Sequence, residues 1–462
     1  MDTFTDFKKQ FFLRVPDLTL FNCGNFNLLK VVLDGLKVDY ISKGKVNPFL
    51  FYPEFAYSSY LMIKRKKSNK SQTNAFFDKI KTFKYVEYLI SDVGRSVNDG
   101  QGTFKSIYFD NIIKSIGQEK LVNIVDKEVN FSYDFNVLDI EQFFMHLPLT
   151  HEEFKLRLEV IKTFKRIADS SIFTDYELKN IKFAFHKFFH QYKVWARLLK
   201  ELPSLTKCYF VCHYHKEGQI LALKNAGIEC VELQHGLIAP QDIFYIFPDN
   251  INTVRKNALF ADKIYLFGEY WKNVLLKGRE YDSNQIEIIG YYLYDDFTKY
   301  AREREILNEI ILDKKVVLIT TQTFIHKGYI EFTMALLKEI ELMKEPYIII
   351  IKPHPAENQE IYRDAFVDSK TVKVLQYPLT VLLEKADLHI SIYSTTLYDA
   401  LRYNIKNYVF KVKGCEDYVN EIVESGVAEE IMSPKDIFNN SKKQMQLQSE
   451  LFYEKFNKAS LN

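Results

Sequence analysis

Two rhythms of apolar and polar positions run along this chain of 462 residues. In the C-terminal part, short apolar runs recur with helix-like spacing between them. Tyr347–Ile351 and Leu388–Tyr393 are apolar without alternation, which predicts strands buried on both faces, as in a parallel sheet. They belong to a series of five predicted strands: 315–322, 347–351, 372–377, 388–393 and 407–412. Helical patterns separate them at 329–342, 358–366, 380–386 and 396–404, and another follows at 416–425. Strand and helix in alternation imply βαβ units. The same rhythm begins earlier, with strands predicted at 208–215, 228–236, 261–268 and 286–292 and helices at 217–225 and 269–278.

The N-terminal stretch is less regular. Leu18–Cys23 and Val38–Ser42 read as strands flanking a helix over Asn27–Leu36. Tyr85–Ile90 reads as a strand opening onto a glycine-rich loop, Asp92–Gly102. Glu152–Leu202 is the longest helical region, without proline before Pro203. The expected fold class is therefore α/β, with two Rossmann-like doubly wound domains facing a cleft. The expected division is 1–300, with a helical insertion at about 150–203, then 301–440, then a C-terminal helix at 441–462. Tyr291–Glu309 is read as a charged connector.

Composition narrows the class. A formal net charge of +2 gives no reason to expect nucleic acid as a partner. The five cysteines are scattered and odd in number, so no disulfide framework is indicated. No N-terminal apolar core suggests a signal peptide, and no apolar run is long enough to span a bilayer. A cytoplasmic protein is expected. The basic run Lys64–Gln72, beside several aromatics, offers either a solvated loop or peripheral contact with the inner face of the plasma membrane.

Candidate chemistry gathers at predicted strand ends, where doubly wound sheets bind ligands. In the second domain these are Thr321-Gln322, Lys352, His354, Glu357 and Ser394-Thr395-Thr396. Hydroxyls at a helix start and a histidine held between two prolines suit a phosphate-bearing ligand, with His354 donating to a leaving phosphate oxygen. In the first domain, Gln234-His235-Gly236 ends a strand, and His235 is a catalytic candidate with Gln234 on the acceptor side. Asp92 and Asp99 are candidate bases, and Arg95 a candidate for holding an anionic acceptor. Glu232 lies inside a strand pattern and draws little weight. His186 and His190 stand four apart on a helix without the glutamate of a zinc-hydrolase motif, so no metal site is expected.

The text ELQHG, then FADKIYLFGEYWKNVL, KPHP and SIYSTTLYDAL, over roughly residues 205–410, resembles GT-B glycosyltransferases of bacterial capsule and O-antigen assembly. The HP motif followed by a Ser/Thr pair is similar to CMP-sugar-dependent sialyltransferases, polysialyltransferases and β-Kdo transferases. The resemblance implies that His354, Ser394 and Thr395 contact the nucleotide, and that an N-terminal acid near the acceptor, Asp99 here, serves as base. It implies a metal-independent enzyme with no cofactor beyond its nucleotide-sugar donor. Such an enzyme would move Kdo or another ulosonic acid to a glycan or lipid-linked glycan. Cell-wall polyol phosphotransferases share an HG, an HP and a serine-rich element, which keeps CDP-polyol chemistry as an alternative. A non-catalytic nucleotide- or glycan-binding subunit is the other alternative, and a sugar-nucleotide epimerase of similar fold a more distant one.

Overall fold

The computed structural model describes residues 4–461 except 43–77, 79, 95, 99–103, 126–136, 139–147, 239, 241, 243, 248–257, 279–280, 294–299, 324, 344–345, 414 and 440–448. Contacts divide the chain into two compact units. One comprises Phe7–Tyr294 with Lys455–Asn462, the other Asp295–Glu454 with Met1–Asp6.

The N-terminal unit is built on a seven-stranded sheet: β1 (Tyr88–Asp92), β2 (Leu121–Val125), β3 (Val137–Leu138), β4 (Lys207–Phe210), β5 (Glu229–Leu233), β6 (Lys263–Leu266) and β7 (Ile286–Ile288). Every pairing is parallel, in the order β7-β6-β5-β4-β1-β2-β3. The C-terminal unit has six parallel strands: β8 (Lys315–Thr320), β9 (Tyr347–Lys352), β10 (Val372–Val374), β11 (Leu388–Ser391), β12 (Lys406–Val409) and β13 (Glu429–Glu430). Their order is β10-β9-β8-β11-β12-β13. Numbered within each unit, both sheets follow 3-2-1-4-5-6, with a seventh strand added at the end of the N-terminal one, which is the doubly wound order with a switch point between the first and fourth strands. Ile348, Ile349 and Ile350 are fully buried, as the unalternating run predicts for a strand covered on both faces.

Helices fix the rest. α1 (Leu29–Ser42) starts where Asn27 Oδ1 accepts the Leu29 N–H at 2.8 Å, and it runs through the segment 38–42. That corrects the predicted second strand: buried Leu29, Val32, Leu33 and Leu36 keep a helical period that propagates to Ser42. The long helical region is two helices, α2 (His151–Asp169) and α3 (Asp175–Lys200). Reciprocal capping boxes, Thr150 with Glu153 and Thr174 with Glu177, set the starts, and Ser171 at φ 56° breaks the run between them. α4 (Glu217–Asn225) packs on α3 so closely that a Cβ on Gly218 would lie 2.3 Å from the Phe188 carbonyl oxygen.

The later part of the predicted connector is a helix, Ala301–Ile311, whose Leu307 and Ile311 join Val316, Leu318, Ile348 and Ile350 in the core of the C-terminal unit. The chain then ends on the N-terminal unit. The Asn457 N–H donates to Ile289 O at 2.8 Å, and Tyr209 donates to Leu461 O at 3.1 Å. Of the predicted tail helix, 441–448 lie outside the described residues, and the described part holds a short helix at Ser449–Phe452 and a 3-10 turn at Lys458–Leu461.

Candidate functional site

In the C-terminal unit the predicted residues stand at the carboxyl ends of β8, β9 and β11, around the switch point. Two adjacent threonines at the end of β8 stitch both neighbouring strands. Thr321 N–H donates to Lys352 O at 3.2 Å, and its hydroxyl accepts the His354 N–H at 3.1 Å while donating to Glu357 Oε2. Thr320 Oγ1 lies 2.6 Å from Thr396 Oγ1 and 2.9 Å from His389 Nε2.

His354 is half-buried in the loop after β9. The Ala356 N–H donates to its Nδ1 at 3.1 Å, so the neutral ring carries its hydrogen on Nε2. The loop leaves His354 as a donor at Nε2. Glu357 holds that loop. Its carboxylate accepts from Thr321, from the His354 N–H (3.1 Å) and from the Tyr362 hydroxyl (2.9 Å). The carboxylate is occupied within the fold, and its charge would repel a phosphate.

Lys352 is half-buried, and its ammonium makes no ion pair or hydrogen bond among the described residues. Burial lowers its pKa from the ordinary lysine value. A partly desolvated ammonium without a carboxylate is a favourable point for an anion. Gln322 is half-buried beside Thr321.

The three hydroxyls of Ser394-Thr395-Thr396 differ. Ser394 is buried, and its Oγ accepts the Thr396 N–H at 3.3 Å. Thr395 is exposed. For Thr396 the hydrogen directions follow from the interior. Asn407 Nδ2 donates to Leu397 O (2.7 Å) and Val427 O (3.1 Å), so its Oδ1 accepts from His389 Nδ1 at 2.8 Å. Burial lowers the His389 pKa to about 4, against a smaller opposing effect of Asn407, so the ring is neutral and accepts at Nε2. Thr320 then donates to His389, and Thr396 donates to Thr320. The Thr396 hydroxyl hydrogen points into the fold. His389 and Asn407 were missed from sequence, although a histidine in the middle of an otherwise apolar strand is a visible signal.

In the N-terminal unit, Asp92 is buried at the end of β1, where its Oδ1 accepts the Gly94 N–H at 2.9 Å. Asp99 and Arg95 lie outside the described residues. Gln234 is fully buried and its amide is taken up at both ends, donating to Gly236 O and accepting the Phe267 N–H, each at 2.9 Å. It shapes the turn. His235 is half-buried with Nε2 3.0 Å from the Tyr214 hydroxyl.

Beside them lies a fully buried ion pair that the sequence reading passed over. His213 Nδ1 is 2.6 Å from Glu232 Oε2, and His213 Nε2 is 2.9 Å from Phe244 O. Tyr245 also donates to Glu232 at 2.6 Å. Burial alone would raise the Glu232 pKa, but His213 and these hydrogen bonds hold it at about 2. The pair pins the segment at Phe244–Tyr245 to the ends of β4 and β5. The predicted strand 208–215 ends at Phe210 because Cys212 (φ 59°) and His215 (φ 68°) are left-handed.

Among the described residues, no group of three or more His, Cys, Asp or Glu side chains is placed to hold a metal ion. None of their helices is long and apolar enough to cross a membrane.

No protein-family model matches the sequence, and no curated protein matches it. Similar solved structures include MnaA of S. aureus with UDP, at 13% identity and TM-score 0.47, covering 81% of this chain and 94% of that one. MurG of Acinetobacter baumannii is 10% identical at TM-score 0.43, covering 81% and 98%. Anabaena HepE in complex with UDP is 10% identical at TM-score 0.42, covering 82% and 97%. At these scores the similarities carry no weight of their own, and the fold rests on strand order. By that order the chain is α/β, made of two Rossmann-like doubly wound units.

Proposed function

We propose that the protein is a metal-independent glycosyltransferase that uses a nucleotide-sugar donor bound by the C-terminal unit. The observation that carries this reading is Lys352, a half-buried ammonium with no acidic partner among the described residues, at the end of β9 near the switch point. His354 with its hydrogen on Nε2, and the exposed Thr395, add donors at neighbouring strand ends. Lys352 would neutralise phosphate charge. His354 would donate to the phosphate oxygen as the glycosidic bond to the nucleotide breaks, and Ser394 and Thr395 would supply further contacts. Gln322 remains a candidate donor contact.

The finer reading is a CMP-linked donor, Kdo or another ulosonic acid, and a bacterial surface polysaccharide acceptor, in a cytoplasmic enzyme peripheral to the membrane. It rests on the KPHP and STT text. On the acceptor side, Asp92, Asp99 and His235 are the candidates for taking the acceptor hydroxyl proton, and Arg95 for holding an anionic acceptor.

The test is nucleotide release from a CMP-activated ulosonic acid with and without glycan acceptors. Acceptor-dependent CMP release is expected. Binding without turnover under any acceptor would favour a non-catalytic subunit. Turnover indifferent to acceptor would point to a hydrolase or epimerase, and acceptor-dependent use of a CDP-polyol to the phosphotransferase alternative.

A further inference from the structure

α2 carries two apolar faces, and only one is covered. Val160, Thr163 and Ile167 are buried against the N-terminal unit. At about 100° per residue, Phe154, Leu158 and Ile161 fall together on the opposite side. They are 50%, 40% and 52% exposed. A soluble helix buries one stripe and shows water a polar one, so a second stripe of large side chains needs an occupant.

The residues around the stripe identify its chemistry. Lys155 and Lys162 lie along one flank, Arg157 along the other, and Lys165 continues the stripe one turn on. All four are exposed. Lys162 is bonded to Glu159 at 2.7 Å. Lys155, Arg157 and Lys165 have no acidic partner among the described residues. Of the acids of this outer surface, Glu152 and Glu159 lie farther round the helix than the lysines, and Asp169 stands at its last position, two turns beyond Ile161. Apolar side chains framed by long cationic ones match a lipid surface with anionic headgroups: the aliphatic stems lie beside the apolar stripe while the charges reach outward.

We infer that the exposed face of α2 docks the protein on an anionic bilayer surface through Phe154, Leu158 and Ile161, with Lys155, Arg157 and Lys165 meeting the headgroups. This deepens the peripheral-membrane part of the proposed function by naming a surface, and it is separate from the Lys64–Gln72 run, which lies outside the described residues.

Flotation of the full chain with phosphatidylcholine vesicles, with and without phosphatidylglycerol, tests it. The wild type is expected to float with anionic vesicles, far less with neutral ones, and to be released by high salt. Lys155→Glu with Lys165→Glu should lower partitioning at least about fivefold per charge. The triple change Phe154→Ser, Leu158→Ser and Ile161→Ser should lower it about tenfold or more, with cooperative unfolding retained and only a modest fall in melting temperature, because about half of each side chain is already exposed. Absence of wild-type binding, or equal flotation of the triple variant, overturns the inference. So does a loss of self-association in the triple variant with flotation unchanged, which would make the stripe a contact between copies. The nucleotide-dependent rise in melting temperature, measured on the same variants, separates failure of docking from failure of the proposed chemistry.

Discussion

The Ala356 N–H donates to His354 Nδ1 at 3.1 Å, which fixes the ring hydrogen on Nε2. The histidine therefore acts as a donor, matched to a departing phosphate. His354→Ala is expected to lower turnover by about two orders of magnitude, as removal of one oriented donor to developing charge does. His354→Gln, which keeps an N–H, should recover part of the loss. Steady-state kinetics on well-folded variants checks this, and near-normal turnover of His354→Ala would move the site elsewhere.

Glu357 is a positioning residue. Glu357→Gln replaces a carboxylate that accepts from Thr321, His354 N and Tyr362 with an amide that has one acceptor oxygen. The loss of at least one bond should cost about 1–3 kcal/mol of stability. Turnover should fall more than nucleotide affinity, since the loop of His354 is loosened while Lys352 is untouched. Denaturant unfolding beside calorimetric titration reads both effects, and an equal loss of affinity and turnover would place Glu357 on the ligand itself.

Asp92 belongs to the N-terminal unit, and the proposed nucleotide contacts belong to the C-terminal one. Asp92→Asn should therefore leave nucleotide affinity nearly unchanged while lowering turnover, because a missing base affects proton transfer and not phosphate contacts. Ser394→Ala with Thr395→Ala should weaken nucleotide binding. Loss of nucleotide affinity in folded Asp92→Asn would contradict this division of labour.

His389 predicts an acid sensitivity. Its pKa is about 4 in the fold and about 6.5 when unfolded. Between these values the unfolded chain binds the extra proton, so stability is full above about pH 6.5 and falls as pH drops toward 4. The total loss is on the order of 3 kcal/mol. Glu232, held at about 2, adds a separate loss below its unfolded value of about 4.3. His389→Gln keeps a donor and an acceptor without titrating, so its melting temperature should vary less between pH 6.5 and 5 than that of the wild type. Parallel pH curves would show that His389 does not titrate as its burial implies.

The parallel sheets were legible because apolar runs such as Tyr347–Ile351 and Leu388–Tyr393 do not alternate, and only strands covered on both faces tolerate that. The segment 38–42 was misread because a short apolar run without glycine or proline does not distinguish strand from helix. At the site, the sequence offered His354 and the Ser394–Thr396 cluster as candidates but not their hydrogen directions. For Thr396 these depend on Asn407, Leu397 and Val427, brought together by the fold, and for His354 on the Ala356 N–H. The His213–Glu232 pair was hidden for the same reason. Its partners are 19 residues apart on adjacent strand ends, and nothing in the sequence pairs them.

The central claim, a nucleotide phosphate on Lys352 and His354, is most directly tested by thermal shift with CMP, CDP, UDP, GDP and dTDP on the wild type and Lys352→Ala. A ligand held by the folded form raises the melting temperature. The account predicts the largest rise with a cytidine nucleotide and its loss in Lys352→Ala. A rise with UDP and not with CMP or CDP would overturn the cytidine assignment while leaving the site. No rise with any nucleotide, or an undiminished rise in Lys352→Ala, would contradict the site itself.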